Sequence, residues 1–219
     1  MADKLNSFGK LDQLERRVHR LTVDSVTKLI KKEGLIDSVL ENDPKITEVL
    51  SGPVAVVSID FDKFKEVNDN FGHEKGDVYL RDISSEIDRY SWEDGDDTGF
   101  AFRGKEGDEI VVVLAVGENS MQAYKSRVSR FRASLNQSLF ELGKEFPSKG
   151  INRDNPSLSL GSVFEPELFV DASLPEKLML LLDLVDKKAD IAVYNSKSRK
   201  DVRTKETLAD LTYYEDLNV

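Results

Sequence analysis

Cysteine is absent from the 219 residues, and histidine occurs only twice, as His19 and His73. Disulfides, cysteine-based zinc and iron–sulfur centres, thiol nucleophiles and a histidine-rich metal cage are thereby excluded. No run approaches the ~18 apolar residues of a membrane span. The opening MADKLNSFGKLDQLERR has no apolar segment of the kind that directs secretion. A soluble, cytoplasmic protein is expected, with no membrane partner. Positive charge is scarce as well: 31 Lys and Arg stand against 41 Asp and Glu, giving a net charge of −10. Proteins that coat nucleic acid or anionic lipid are usually basic, so no nucleic-acid partner is expected. A small anionic substrate stays open, because carboxylates can hold one through divalent cations.

What is present is an alternation of dense apolar runs and charged stretches, which disordered chains do not show. The length fits one domain with an appendage. We expect an N-terminal helical extension over 1–45 and the main domain over 46–219. Leu11, Leu14, Val18 and Leu21 recur at helical spacing, and a second helical pattern runs through Val26, Leu29, Ile30, Leu35, Ile36, Val39 and Leu40. Val54 to Ile59 is a short β-branched run that reads as a buried strand, ending in Asp60-Phe61-Asp62. Helical segments follow, one carrying Phe64, Val67 and Phe71, the next spanning about 74–90. The runs FAFR (100–103) and IVVVLAV (110–116), joined by a Gly-containing loop, read as a hairpin. A long helix over about 120–146, a strand over 157–164, a helix over 175–194 and a possible last strand in the tail complete the pattern. The order argues an α/β sandwich with one mixed sheet covered by helices.

Two groups of carboxylates sit where a scaffold presents polar groups: Asp60 and Asp62 at a strand end, Asp108 and Glu109 in the hairpin loop. If the strands before Asp60 and after Glu109 are neighbours, Asp60 and Asp108 meet at one sheet edge. Carboxylates that close repel unless a cation lies between them. Hard oxygen ligands with room left for phosphates suit Mg²⁺ or Mn²⁺, the arrangement used in two-metal phosphoryl transfer. Spacing alone does not decide the matter, because acidic residues often serve as turn and cap residues.

The stretch SIDFDKFKEVNDNFGHEKGDVYL (58–80) resembles the first motif of the GGDEF family, the diguanylate cyclases. Asp60, Asp62, Phe64, Lys65, Asn68, Asp69, Gly72, His73, Gly76, Asp77 and Leu80 match it without a gap. Glu106-Gly107-Asp108-Glu109-Ile110 corresponds to the name-giving motif, SLSLG (157–161) to the later Ser-x-Gly strand, and the stretch 189–197 to a helix ending in Lys197. HRLTVDSVTKL (19–29) is faintly similar to the family's opening segment.

The resemblance implies a central mixed five-stranded sheet flanked by helices, similar to the palm of nucleotide polymerases. It implies condensation of two GTP into cyclic di-GMP, with release of pyrophosphate, between facing half-sites of a homodimer. Mg²⁺ or Mn²⁺ would be held by the carboxylates of Asp60 and Asp108 and the backbone carbonyl of Phe61. Glu109 is the candidate base or second-metal ligand. Asn68 and Asp77 would bond the guanine edge; Phe64, Lys65, Gly107 and Lys197 would line the triphosphate. Read without the resemblance, Asn68 and Asp77 are helix caps or turn residues, Lys65 and Lys197 solvated lysines, and Asp62 a second-row residue or a helix cap. Four departures from the family pattern bear on activity. Glu106 replaces the leading Gly, one residue is added before it, Asp201 stands where a phosphate-binding Arg is expected, and no Arg-x-x-Asp feedback motif precedes the hairpin. Two alternatives therefore accompany turnover: a module that binds GTP or a cyclic dinucleotide, and a cyclase of different product. The N-terminal helices are the expected contact for any regulatory partner.

Overall fold

The computed structural model describes residues 21–92, 98–104, 109–152, 157–165, 171–186 and 212–215. In chain order its elements are β1 (Ile30–Lys31), α1 (Lys32–Leu40), α2 (Pro44–Val49), β2 (Val54–Phe61), α3 (Phe64–Phe71), α4 (His73–Trp92), β3 (Gly99–Arg103), β4 (Glu109–Ala115), α5 (Met121–Glu145), a 3₁₀ turn (Phe146–Lys149), β5 (Leu158–Phe164), α6 (Leu174–Leu184) and β6 (Thr212–Glu215). The strands form one sheet in the order β1-β3-β4-β2-β5-β6. β2 is antiparallel to both β4 and β5, and β3 to β4. β1 and β6 add parallel to β3 and β5, so the sheet is mixed. The expected helix-flanked mixed sheet is present, and the two-residue β1 extends it to six strands.

The alternation along β2 explains both faces. Ala55, Val57, Ile59 and Phe61 share a core with Tyr79, Ile83 and Ile87 of α4 and Val128, Phe131 and Leu135 of α5. Val54 and Val56 share the opposite core with Leu35 and Val39 of α1, Ile46 and Val49 of α2, and Leu178 and Leu181 of α6. Side chains alternate across a strand, so β2 is covered on both sides and reads as a continuous apolar run. The stretch 21–45, expected as an extension, thus supplies α1 and its apolar residues to the second core.

The helical pattern expected across residues 26–31 is not a helix. Asp24 Oδ1 accepts from Val26 N at 3.2 Å, from Thr27 N at 2.8 Å and from Thr27 Oγ1 at 2.8 Å. This local turn competes with a helix, as short polar side chains do. Lys28 follows in the left-handed region with φ 65, and Ile30 and Lys31 then pair with Phe102 and Arg103. The helix expected through Leu11, Leu14 and Val18 lies outside the described residues, apart from the helical Leu21 and Thr22. So does the part of the 175–194 helix beyond 186. The possible tail strand is β6.

Candidate active site

The row of β2 residues on the second face changes character along its length, from Val54 and Val56 to Ser58 and Asp60, and Asp62 follows just past the strand end. The first two are sealed under α1, α2 and α6; Asp60 is only partly buried. The strand thus carries carboxylates out of the core at the edge of its cover, as a rigid element presents a site.

Asp60 lies opposite Glu109 of β4 on one side and opposite Ser159 of β5 on the other. Directly opposed residues of antiparallel strands project to the same face, with Cβ atoms ~5 Å apart. Asp60 and Glu109 therefore share one surface. The Glu109 side chain leans back along it: Ser58 Oγ donates to Glu109 Oε1 at 3.3 Å. Its other oxygen lies over Gly104, where a Cβ would come within 2.5 Å of it. Gly104 also donates its N–H to the Glu109 carbonyl at 3.0 Å, closing the hairpin base.

Asp62 is held by β5. Ser159 Oγ donates to Asp62 Oδ1 at 2.6 Å and Ser157 Oγ donates to Asp62 Oδ2. The Asp62 N–H donates to the Ser157 carbonyl at 3.1 Å. Both Asp62 oxygens are thus turned to residues 157 and 159, and Asp62 does not cap α3, whose N-cap is Lys63. Lys63 then turns the chain in the left-handed region, φ 57 and ψ 30, with no side chain capping α3. The amides of Phe64 and Lys65, which have no intrahelical partner, open at the end of β2. Lys65 is exposed, whereas Phe64 packs on the first core against Phe61 and Tyr79, its ring 6.3 Å from that of Tyr79.

The junction of α3 and α4 brings Asn68 against Gly76, the residue before Asp77. Asn68 is packed so closely on Gly76 that a Cβ there would fall 1.8 Å from Asn68 Oδ1. Asp77, the next residue, is exposed. Gly76 thus holds the place of the Asn68 amide by lacking a side chain. At the outer edge, Asp24 lies near the Arg103 guanidinium. Burial raises its pKa, but hydrogen bonds from Thr27 and Val26 and the Arg103 charge outweigh that and hold the carboxyl below its ordinary value.

Gly107, Asp108 and Lys197, expected in the site, lie outside the described residues, as do Glu106 and Asp201. Among the described residues no three carboxylate or imidazole groups gather as a metal site. The donor types still fit a hard divalent cation: Asp60 and Glu109 share one face in facing registers, and the Phe61 carbonyl is next to Asp60 in the chain. Ser58, Ser157, Ser159 and Gly104 were not expected in the site. A hydroxyl inside an apolar strand, as at Ser58, is the available sequence signal for the first. No helix of the described residues is long and apolar enough to cross a membrane.

The comparisons agree with this architecture. Residues 21–162 match the family model described as "Diguanylate cyclase, GGDEF domain". Diguanylate cyclase DosC of Escherichia coli K12 is 31% identical over 117 residues, 51% of this chain and 24% of that protein. Cyclic di-GMP phosphodiesterase PdeR of the same strain is 30% identical over 176 residues, 80% of this chain and 22% of that protein. The chain thus spans about a quarter of the length of these relatives. The coiled coil and GGDEF domain of DgcB from Caulobacter crescentus, solved with c-di-GMP, superposes with a TM-score of 0.56 at 19% identity, over 97% of this chain and 96% of that one. At that identity the likeness is one of fold. With the family model covering more than half of the chain, this protein belongs to the diguanylate cyclase GGDEF domain family.

Proposed function

We propose that this chain is a diguanylate cyclase-like nucleotidyltransferase that condenses two GTP into cyclic di-GMP at the interface of a homodimer. The observation that carries the reading is the register of β2 and β4, which sets Asp60 opposite Glu109 beside the uncapped start of α3. Asp60, the Phe61 carbonyl and Asp108 would hold Mg²⁺ or Mn²⁺. Such a cation neutralises phosphate charge and eases deprotonation of a nearby hydroxyl.

The chain's own groups do the rest. The amides of Phe64 and Lys65, the Lys65 ammonium and the Lys197 ammonium hold the triphosphate, and Gly107 leaves room for it. Asp77 accepts from the guanine N1–H and 2-amino groups, and Asn68 bonds the same edge. Adenine offers neither donor, so the pair selects guanine. Glu109 accepts the proton of the attacking 3′-hydroxyl. That oxygen forms a bond to the α-phosphorus of the facing nucleotide, and the bond to pyrophosphate breaks. A second round with the roles exchanged closes the ring. Each subunit supplies one nucleotide, so the site is complete only in the dimer. A regulatory partner would act through the N-terminal helices.

A second reading, nucleotide binding without turnover, is favoured by Glu106, where the family has glycine. A glutamate there puts bulk and negative charge beside a phosphate. Purified protein incubated with GTP and Mg²⁺, with products resolved by chromatography, separates the two. Cyclic di-GMP from the wild type and none from Asp108→Ala supports the cyclase. GTP binding without pyrophosphate release supports the module, and Glu106→Gly is then expected to switch turnover on.

A further inference from the structure

The acidic residues at the end of β2 differ in what they touch. Asp60 faces Glu109, whereas Asp62 turns to β5 and accepts a hydroxyl hydrogen bond on each oxygen, from Ser159 at 2.6 Å and from Ser157. Ser159 is fully buried and itself lies opposite Asp60 in the β2/β5 register. The Asp62 N–H adds a third bond to the Ser157 carbonyl, at 3.1 Å. One residue later Lys63 takes the left-handed turn that starts α3. Asp62 is therefore tied to the neighbouring strand at the point where the chain leaves the sheet.

A serine hydroxyl carries one proton, and a carboxylate that accepts on both oxygens is held in one orientation. A bond to an ionised acceptor is roughly twice as strong as a neutral one. The two bonds therefore fix the direction in which β2 ends. The Asp62 N–H bond to the Ser157 carbonyl sets the rotation of the Phe61–Asp62 peptide, and so the direction of the Phe61 carbonyl, while the two side-chain bonds anchor Asp62 where the first amides of α3 emerge. Groups of this kind, one bond removed from a cation ligand, tune its affinity without touching the cation.

Resting on the cation and nucleotide site proposed above, we infer that Asp62, gripped by Ser157 and Ser159, is a positioning residue that aligns Asp60, the Phe61 carbonyl and the start of α3, and does not ligate the cation. The test uses the full chain with GTP and follows free Mn²⁺ by electron paramagnetic resonance, with a thermal melt of every variant. Ser157→Ala/Ser159→Ala is expected to weaken Mn²⁺ binding about 10- to 100-fold. Asp62→Asn is expected to weaken it by a similar factor, and the triple variant by no more than either, because all three act through one contact. Ser157→Thr/Ser159→Thr, which keeps both hydroxyls, is expected to retain Mn²⁺ affinity. Should the double alanine variant not fold, Ser157→Ala alone, at the partly exposed position just before β5, reads the same effect. Wild-type Mn²⁺ affinity in the folded serine variants, whatever Asp62→Asn does, overturns the inference; loss confined to Asp62→Asn makes Asp62 a direct ligand. If the wild type itself binds no Mn²⁺ with GTP, it is the proposed function that fails.

Discussion

Replacing Gly76 with alanine separates stability from nucleotide binding. Gly76 lies in the first turn of α4, where alanine is favoured over glycine by about 1 kcal/mol. The added methyl would come 1.8 Å from Asn68 Oδ1 and 2.9 Å from Asn68 Cγ. A helix backbone does not yield by that much, but a short amide side chain can rotate away. Asn68 would therefore leave the place from which it is proposed to bond the guanine edge. A hydrogen bond lost from a site of this kind costs about 1–1.5 kcal/mol, or roughly tenfold in affinity. Gly76→Ala is thus expected to melt at or slightly above the wild-type temperature while binding GTP about tenfold more weakly. Calorimetric titration with GTP and Mn²⁺, beside differential scanning fluorimetry, reads both quantities. The same protein should lose part of its preference for GTP over ATP. Unchanged GTP affinity in a folded Gly76→Ala protein would refute the placement of Asn68 at the base.

Three further outcomes follow from the same geometry. Asp24→Asn is expected to lower stability by about 0.5–1 kcal/mol near neutral pH, since its hydrogen bonds are only partly shielded from water. The Asp24 carboxyl is held below its ordinary pKa. Its contribution is then fully present above the ordinary carboxylate range and is lost as pH falls through the lower folded value. Urea titrations should show the wild type and Asp24→Asn converging below about pH 4, and a gap that widens in acid contradicts the sign. Lys63→Gly is expected to raise stability by about 0.5–1 kcal/mol, because a left-handed conformation strains any residue with a Cβ. The exposed pair from Lys63 Nζ to Glu66, 3.7 Å apart, offsets little of that gain. A lower denaturation midpoint for Lys63→Gly would count against the strain.

The parts of the site that follow from strand ends were legible in the sequence. β-Branched runs that stop at charge mark where a buried strand leaves its cover, and this set Asp60 and Asp62 at one strand end and Asp108 and Glu109 in the hairpin loop; the expected meeting of Asp60 with Asp108 lies outside the described residues, and it is Glu109 that faces Asp60. The hairpin loop of Gly104 to Glu109 implied that β3 and β4 pair, as they do. Residues 26–31 misled because Val26, Leu29 and Ile30 reproduce helical spacing by coincidence. The competing signal was Asp24 with Thr27 three residues on, whose side chain-to-backbone bonds close a turn. The grip of Ser157 and Ser159 on Asp62 was not legible, since it depends on the register between strands nearly a hundred residues apart. Nor was the contact of Asn68 with Gly76, which is set by the angle between α3 and α4. Both are facts of packing, and periodicity carries no information about them.

The end of β2 and the β3–β4 hairpin are proposed to form one cation-dependent nucleotide site. Calorimetric titration of GTP into the wild type and Asp60→Ala, each with Mn²⁺ and again with excess EDTA, tests it most directly. GTP binding is expected in the wild type with Mn²⁺ only, and reduced at least tenfold in Asp60→Ala, as loss of a charged ligand implies. Binding of equal strength in all four titrations would contradict the account.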